Sequence, residues 1–173
     1  MNSSSERTRT LVCRWGSYIL LLLLMAVLET VPGFLNIFGI KPLFIMPLAL
    51  AVAVHEDEFN AAFFGALCGL VWDWTAARYV GGFALELAVI CLLTSMLTRI
   101  YLRVSTFNFC LIAAGCCWAA CSLDFLFSYE MAGYGHGVER YFFYLVPMVL
   151  YSAALSPLSY LCAGAVANRF VLE

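Results

Sequence analysis

FGALCGLVWDW, residues 64–74, is the stretch that decides how this chain is organised. It is strongly apolar, and its only charge is the carboxylate of Asp73. Gly65 and Gly69 are four residues apart, so they lie on one helix face, where the missing side chains let another backbone approach closely. Asp73 follows one turn later on nearly the same side. An acid beside a glycine-lined contact face requires a physical reason, which the rest of the chain must supply.

The composition excludes an ordinary water-soluble fold. Of the 173 residues, 64% are hydrophobic and 12% are charged, whereas soluble domains have about 45–50% and about 25%. A soluble protein of this size could not cover so much apolar surface, so we interpret the chain as an integral membrane protein. The net charge of −2 and the lack of a basic stripe argue against a nucleic-acid partner.

The apolar segments predict a single all-α transmembrane domain over residues 1–173. The expected helices lie at about 15–35, 38–54, 59–77, 79–102, 104–129 and 141–168. The second is the weakest, because its uncharged part, residues 42–54, would be about 20 Å long as a helix, against about 30 Å for the hydrocarbon core. The prediction is therefore a bundle of six membrane helices, or of five if this segment does not cross.

Lysine and arginine positions predict the orientation in the membrane. With the N-terminus inside, the inner side holds six basic residues: Arg7, Arg9, Arg14, Arg99, Arg103 and Arg169. The outer side holds three. Both termini are therefore expected in the cytoplasm.

In this topology the charged groups of the membrane segments collect near the outer leaflet. The four acids are Glu29, Asp73, Glu86 and Asp124, and the three basic residues are Lys41, Arg78 and Arg140. An ionisable residue inside a membrane is a functional-site hypothesis by default, since burying it unpaired costs about 2.5–3.5 kcal/mol on insertion scales.

Each acid has a structural and a functional interpretation. Glu29 and Asp124 are expected to reach the headgroups. Asp73 is expected to cap a neighbouring helix or to pair with Arg78 or Lys41, holding the glycine-faced helix in register. Asp73 and Glu86 could instead contact the transmembrane helix of a partner.

Catalytic and metal-binding patterns find little support. Eight cysteines fall mostly inside apolar runs, where cysteine behaves as a small hydrophobe. Cys117 and Cys121 share a helix face, but paired C-x-x-C spacing with histidines is missing. No nucleophile elbow, zinc-protease motif or phosphate-binding loop occurs. We therefore expect a protein that is not an enzyme and needs no metal or cofactor.

The run FFGALCGLVWDWTAARYVGGFALELAVICLLTSML, residues 63–97, resembles the signature region of MreD, the rod shape-determining membrane protein of bacteria. That family has a glycine-spaced helix ending in an aspartate, a short turn with glycine, and another apolar helix. The matching positions are Gly65, Gly69, Asp73, Gly82 and Leu85. A basic residue and proline also open the second segment, at Lys41-Pro42. The sequence departs from the pattern at Trp74, Phe83 and Glu86.

The resemblance implies a non-catalytic role in the bacterial plasma membrane. The protein would sit beside an MreC-like protein and the enzymes of peptidoglycan synthesis, linking them to the MreB filament and so regulating cell shape. We expect the glycine face, with Gly82 and Glu86, to contact the following helix of the same chain and also to hold a partner helix. The chain could also form a homo-oligomer. The family is similar in fold to the substrate-binding subunits of energy-coupling-factor transporters. This similarity implies the alternative, a vitamin-uptake subunit with an outward pocket lined by Tyr134 and residues 141–144.

Overall fold

The structure is a computed structural model that describes residues 3–31, 40–76, 81–100, 105–127 and 141–170, with side chains from residue 8 onward. Six α-helices lie in these ranges: α1 (Ser3–Thr30), α2 (Ile45–His55), α3 (Glu58–Thr75), α4 (Gly82–Ile100), α5 (Thr106–Phe125) and α6 (Val146–Arg169). A π-helical turn, Tyr141–Leu145, leads directly into α6. The all-α class is confirmed.

Two helix boundaries differ from the predicted ones. α1 begins at Ser3 rather than near residue 15, because a helix can continue through the polar N-terminal residues that a hydropathy criterion leaves out. α2 begins at Ile45 rather than at residue 38, with Pro42 in the approach to the helix. The central apolar segment is therefore shorter than the sequence suggests.

Within the described residues, four helices are long and apolar enough to cross a membrane: Thr8–Thr30, Gly82–Ile100, Thr106–Phe125 and Tyr141–Arg169. α2 is a shorter apolar helix of 11 residues. α3 has 18 residues, but Glu58, Asn60 and Asp73 make it more polar than the four. The chain is thus a multi-pass membrane protein by helix length and composition.

The short helix α2 lies in the middle of the bundle. It contacts all five other helices, which follow one another around it in the order α1, α3, α4, α5, α6 and back to α1. All residues from Ile45 to Ala53 are buried. α2 therefore meets protein on every side, whereas each surrounding helix also presents large apolar side chains outward.

The terminal backbone groups of the short helix α2 need hydrogen-bond partners from outside the helix. Eleven residues make a helix of about 17 Å, and the residues that flank it, Phe44 and Glu56, are buried. The first amide groups and last carbonyl groups of a helix have no partners within it. In an apolar medium each unsatisfied group costs several kcal/mol. Polar side chains from the surrounding helices must therefore reach both ends of α2.

Candidate functional site

The N-terminal end of α2 is capped by a carboxylate from α1. Oε2 of Glu29 accepts a hydrogen bond from the Ile45 amide at 3.3 Å, and the Phe44 amide also donates to this carboxylate. The carboxylate charge also complements the positive end of the helix dipole. The expectation that Glu29 only reaches the headgroups is therefore wrong, because its carboxylate points inward to this helix end.

A serine from α6 satisfies the backbone just before α2. Oγ of Ser152 accepts a hydrogen bond from the Leu43 amide at 2.8 Å and donates to the Met148 carbonyl at 2.7 Å. Ser152 is completely buried. Its role was not predicted from the sequence, because a serine within an apolar helix is an ordinary small residue until its neighbour is known.

Lys41 lies at the same end of the bundle and contacts a backbone carbonyl. Its ammonium group donates to the carbonyl oxygen of Val31, just beyond α1, at 3.4 Å. A cation there complements the negative end of the α1 dipole.

The C-terminal end of α2 is held by an arginine from α1. Arg14 forms an ion pair with Glu56 at 2.6 Å, and it also donates to the His55 carbonyl at 3.4 Å. Ser95 on α4 donates to the Glu56 carbonyl at 3.0 Å. Two surrounding helices thus satisfy this end, and none of these roles was predicted from the sequence.

The turn between α2 and α3 also carries a second ion pair. Arg99 on α4 pairs with Asp57, although both side chains are largely exposed and the pair contributes little to stability. Glu56 is buried, and burial raises the pKa of its carboxyl group above the ordinary value, while a hydrogen bond with Tyr18 and the charge of Arg14 lower this pKa by less.

Several buried polar atoms near this turn have no hydrogen-bond partner among the described residues. They include Nε of Arg14 and Nε2 of His55, whereas the Tyr18 hydroxyl interacts with the Arg14 and Glu56 side chains. The His55 ring packs on Tyr160, and Gly164 leaves room for Nε2, which would lie 3.0 Å from a Cβ at that position. The cluster joins α1, α2 and α6 around one polar end.

Asp73 caps the N-terminus of α4. The residue is buried, and its Oδ2 accepts a hydrogen bond from the Gly81 amide at 2.8 Å. Gly81 has a φ of +111°, a conformation that favours glycine. Of the two expected roles, the structure therefore has the helix cap. Pairing with Arg78 lies outside the described residues, and Lys41 contacts Val31 instead.

Gly65 and Gly69 lie against α4. A Cβ at Gly69 would be 2.3 Å from the Ala84 Cα, and one at Gly65 would be 2.8 Å from the Leu87 carbonyl oxygen. The two backbones therefore touch, as the spacing predicted. α4 occupies this face, as expected for the following helix of the chain, whereas contact of a partner helix with the α3–α4 pair stays a prediction.

Gly82 and Glu86 do not share this role. A Cβ at Gly82 would meet no atom within 4 Å, so the close approach does not require this glycine. Glu86 lies on α4 near Asp124 on α5, close enough for the two carboxylates to interact. One carboxylate oxygen of Glu86 is buried without a partner in the described part of the chain. Arg140, the remaining basic residue of the outer set, lies outside the described residues.

The buried cysteines pack in the core. Cys68, Cys91 and Cys117 are completely buried. Over the residues that the structure describes, no group of three or more histidine, cysteine, aspartate or glutamate side chains could hold a metal ion.

The aromatic residues proposed for a transporter pocket have other surroundings. The Tyr141 hydroxyl accepts from the Trp118 indole at 2.7 Å and shares a hydrogen bond with Ser122. Phe142 and Phe143 are exposed on the outside of the bundle. Tyr134 lies outside the described residues.

An apolar groove runs between α1 and α3 on the outer surface of the bundle. Its volume is about 380 Å³. It is lined by Leu23, Ala26, Val27 and Thr30 of α1 and by Leu70, Val71, Trp74 and Thr75 of α3.

Comparison of the chain with protein-family models, curated proteins and solved structures gives no match.

Proposed function

We propose that this chain is a non-catalytic membrane scaffold of the bacterial cell-wall elongation complex. In this proposal it lies in the plasma membrane with both termini in the cytoplasm. It holds an MreC-like protein beside the peptidoglycan-synthesis enzymes, which the complex links to the cytoskeletal filament. The resemblance of residues 63–97 to MreD carries the proposal.

The geometry of that region supports a scaffold role. Gly65 and Gly69 bring α3 and α4 into backbone contact, and Asp73 ties the end of α3 to the start of α4 through Gly81. The residues of the resemblance thus build one rigid helical pair. A rigid pair is suited to holding a partner in a fixed position, and its glycine side is already filled.

A partner helix must therefore use an outward face of this pair. Leu85, Val89 and Leu93 are four residues apart on α4, so they form one stripe, and they are 70%, 48% and 51% exposed. Among the residues that match the MreD pattern, Leu85 has a side chain that points outward. We assign this stripe as the contact surface for the partner.

The described residues do not favour the transporter alternative. α2 fills the middle of the bundle with consecutive buried apolar side chains. The aromatic residues Phe142 and Phe143 face outward, so they do not line a central pocket. Specific ligand sites usually combine a concave apolar surface with a few placed polar groups.

Complementation tests the proposal. In a rod-shaped bacterium depleted of its own MreD, the tagged full-length chain should restore rod shape and co-purify with MreC. If the chain is folded and present in the membrane but neither restores rod shape nor co-purifies with MreC, the proposal is contradicted. A rise in Tm with a vitamin would favour the transporter instead.

Two variants test the proposed contact stripe. Leu85→Trp and Leu93→Trp keep an apolar surface but obstruct close helix packing, so we expect less MreC to be recovered, with Tm unchanged. Leu161→Trp on α6 is the control, since Leu161 is 61% exposed. Equal recovery from all three variants would exclude this stripe as the contact surface.

A further inference from the structure

The groove between α1 and α3 is short as well as apolar. On α1 it extends from Leu23 to Thr30, about 10 Å along the helix axis. A partner helix about 10 Å wide would occupy about 800 Å³ over that length, roughly twice the groove volume of about 380 Å³. A hydrocarbon chain can lie wholly inside the groove, whereas a helix could insert only a row of side chains.

The two hydroxyl groups that line the groove both donate hydrogen bonds within their own helices. The Thr30 hydroxyl donates to the Ala26 and Val27 carbonyls, both at 3.0 Å. The Thr75 hydroxyl donates to the Trp72 carbonyl at 3.0 Å. Because these protons are used within the helices, the lining suits an apolar occupant.

A cation lies about one helical turn beyond the lining residues of this groove, on the α1 side. Val31 is four residues after Val27, so it continues the α1 side of the groove by one turn. The Lys41 ammonium lies 3.4 Å from the Val31 carbonyl oxygen. An ammonium group carries three donors; this contact uses one of them, and the Glu29 carboxylate also lies close enough to interact with the charge. The site thus combines a hydrocarbon-sized groove with a positive charge about one helical turn beyond the groove on the α1 side.

We propose that one acyl chain of an anionic phospholipid lies in this groove and that Lys41 binds its phosphate group. The apolar lining accounts for the chain and the ammonium for the headgroup charge. The proposal needs only a bilayer around the bundle and does not rest on the proposed scaffold function.

Native mass spectrometry tests this assignment. The full-length protein is purified in detergent and equilibrated with equimolar dioleoyl-phosphatidylglycerol and dioleoyl-phosphatidylcholine. We expect one lipid to be retained per chain, with phosphatidylglycerol preferred. Lys41→Gln should reduce that preference about fivefold, as expected for one lysine near an anionic surface. Val27→Trp should fill the groove and abolish retention of both lipids.

Matched variants separate the site from general lipid binding. Arg169→Gln removes a cation at the end of α6, and Leu111→Trp adds an indole on α5 at a side chain as exposed as Val27, 61% against 60%. Both should behave as the unmodified chain. Unchanged retention in Val27→Trp, or an unchanged preference in Lys41→Gln, would overturn the proposal.

Photo-crosslinking identifies any other occupant. A photoreactive residue at Val27 should crosslink to lipid in cells. A crosslink to a second copy of the chain or to another protein, without a lipid adduct, would overturn the proposal.

Discussion

Substituting Gly69 by alanine tests the backbone contact that joins α3 to α4. The new Cβ would lie 2.3 Å from the Ala84 Cα, about 1.1 Å inside the 3.4 Å at which ordinary contact begins. It would also lie 2.7 Å from the Phe83 carbonyl oxygen. These are backbone atoms, so no side-chain rotation relieves the overlap, and the two helices must separate by roughly 1 Å.

The expected loss of stability combines two opposing effects. Overpacking a well-packed interface costs about 1–3 kcal/mol. Alanine in place of glycine in a helix contributes about 0.5–1 kcal/mol in the other direction. Because backbone meets backbone here, we expect the upper part of the overpacking range and a net loss of about 2 kcal/mol. For a chain of this size that lowers Tm by about 4–8 °C.

Gly115→Ala provides the matched control. Gly115 lies within α5, and a Cβ there would meet no atom within 4 Å. Its helix propensity gain should therefore appear without a steric cost, leaving Tm unchanged or a few degrees higher. Gly65→Ala should lower Tm, because its Cβ would lie 2.8 Å from the Leu87 carbonyl oxygen.

Thermal unfolding of the detergent-purified protein, followed by circular dichroism, measures these shifts. If Gly69→Ala and Gly115→Ala unfold at the same temperature, α3 and α4 are not in backbone contact at this position, and the packing described above is wrong.

Three further predictions concern the ends of α2. Glu29→Leu removes the cap of the Ile45 amide and should lower the unfolding free energy by about 2 kcal/mol. Glu29→Gln keeps an acceptor oxygen, so it should lose less than half as much unfolding free energy. Equal Tm values for the two variants would contradict the cap. Ser152→Ala leaves the buried Leu43 amide without its acceptor and should cost about 1–3 kcal/mol in chemical unfolding, so a cost below about 0.5 kcal/mol would count against this hydrogen bond. Because burial raises the pKa of Glu56 above 4.5, its proton stabilises the folded state below about pH 4.5, and this contribution is lost as pH rises through the folded pKa. The unfolding free energy of the unmodified chain minus that of Glu56→Gln should therefore fall with rising pH. A pH-independent value of this difference would refute the prediction.

Residue chemistry and spacing alone predicted the features that depend on local geometry. The apolar composition specified a helical membrane protein. The four-residue spacing of Gly65 and Gly69 predicted a close helix contact, which α4 supplies. The position of Asp73 at a helix end predicted a cap, and Asp73 does accept a hydrogen bond from the Gly81 amide before α4.

The role of Glu29 could not be read from the sequence. Its carboxylate has two satisfactory environments, the headgroup region and a helix N-terminus, and nothing in its own segment distinguishes them. The choice depends on α2, which begins at Ile45 beside it. Ser152, Arg14 and Ser95 went unrecognised for the same reason, since each acts on backbone groups far away in the chain.

The sequence by itself determined the membrane class, the helical segments and the tight pairing of α3 with α4, because these follow from composition and from spacing along one helix. Only the tertiary structure decided that the shortest apolar segment lies at the centre. Lipid and protein core are both apolar, so an apolar helix surface does not show which of the two it faces. Once α2 is enclosed, its two unsatisfied ends determine where the buried polar groups must be.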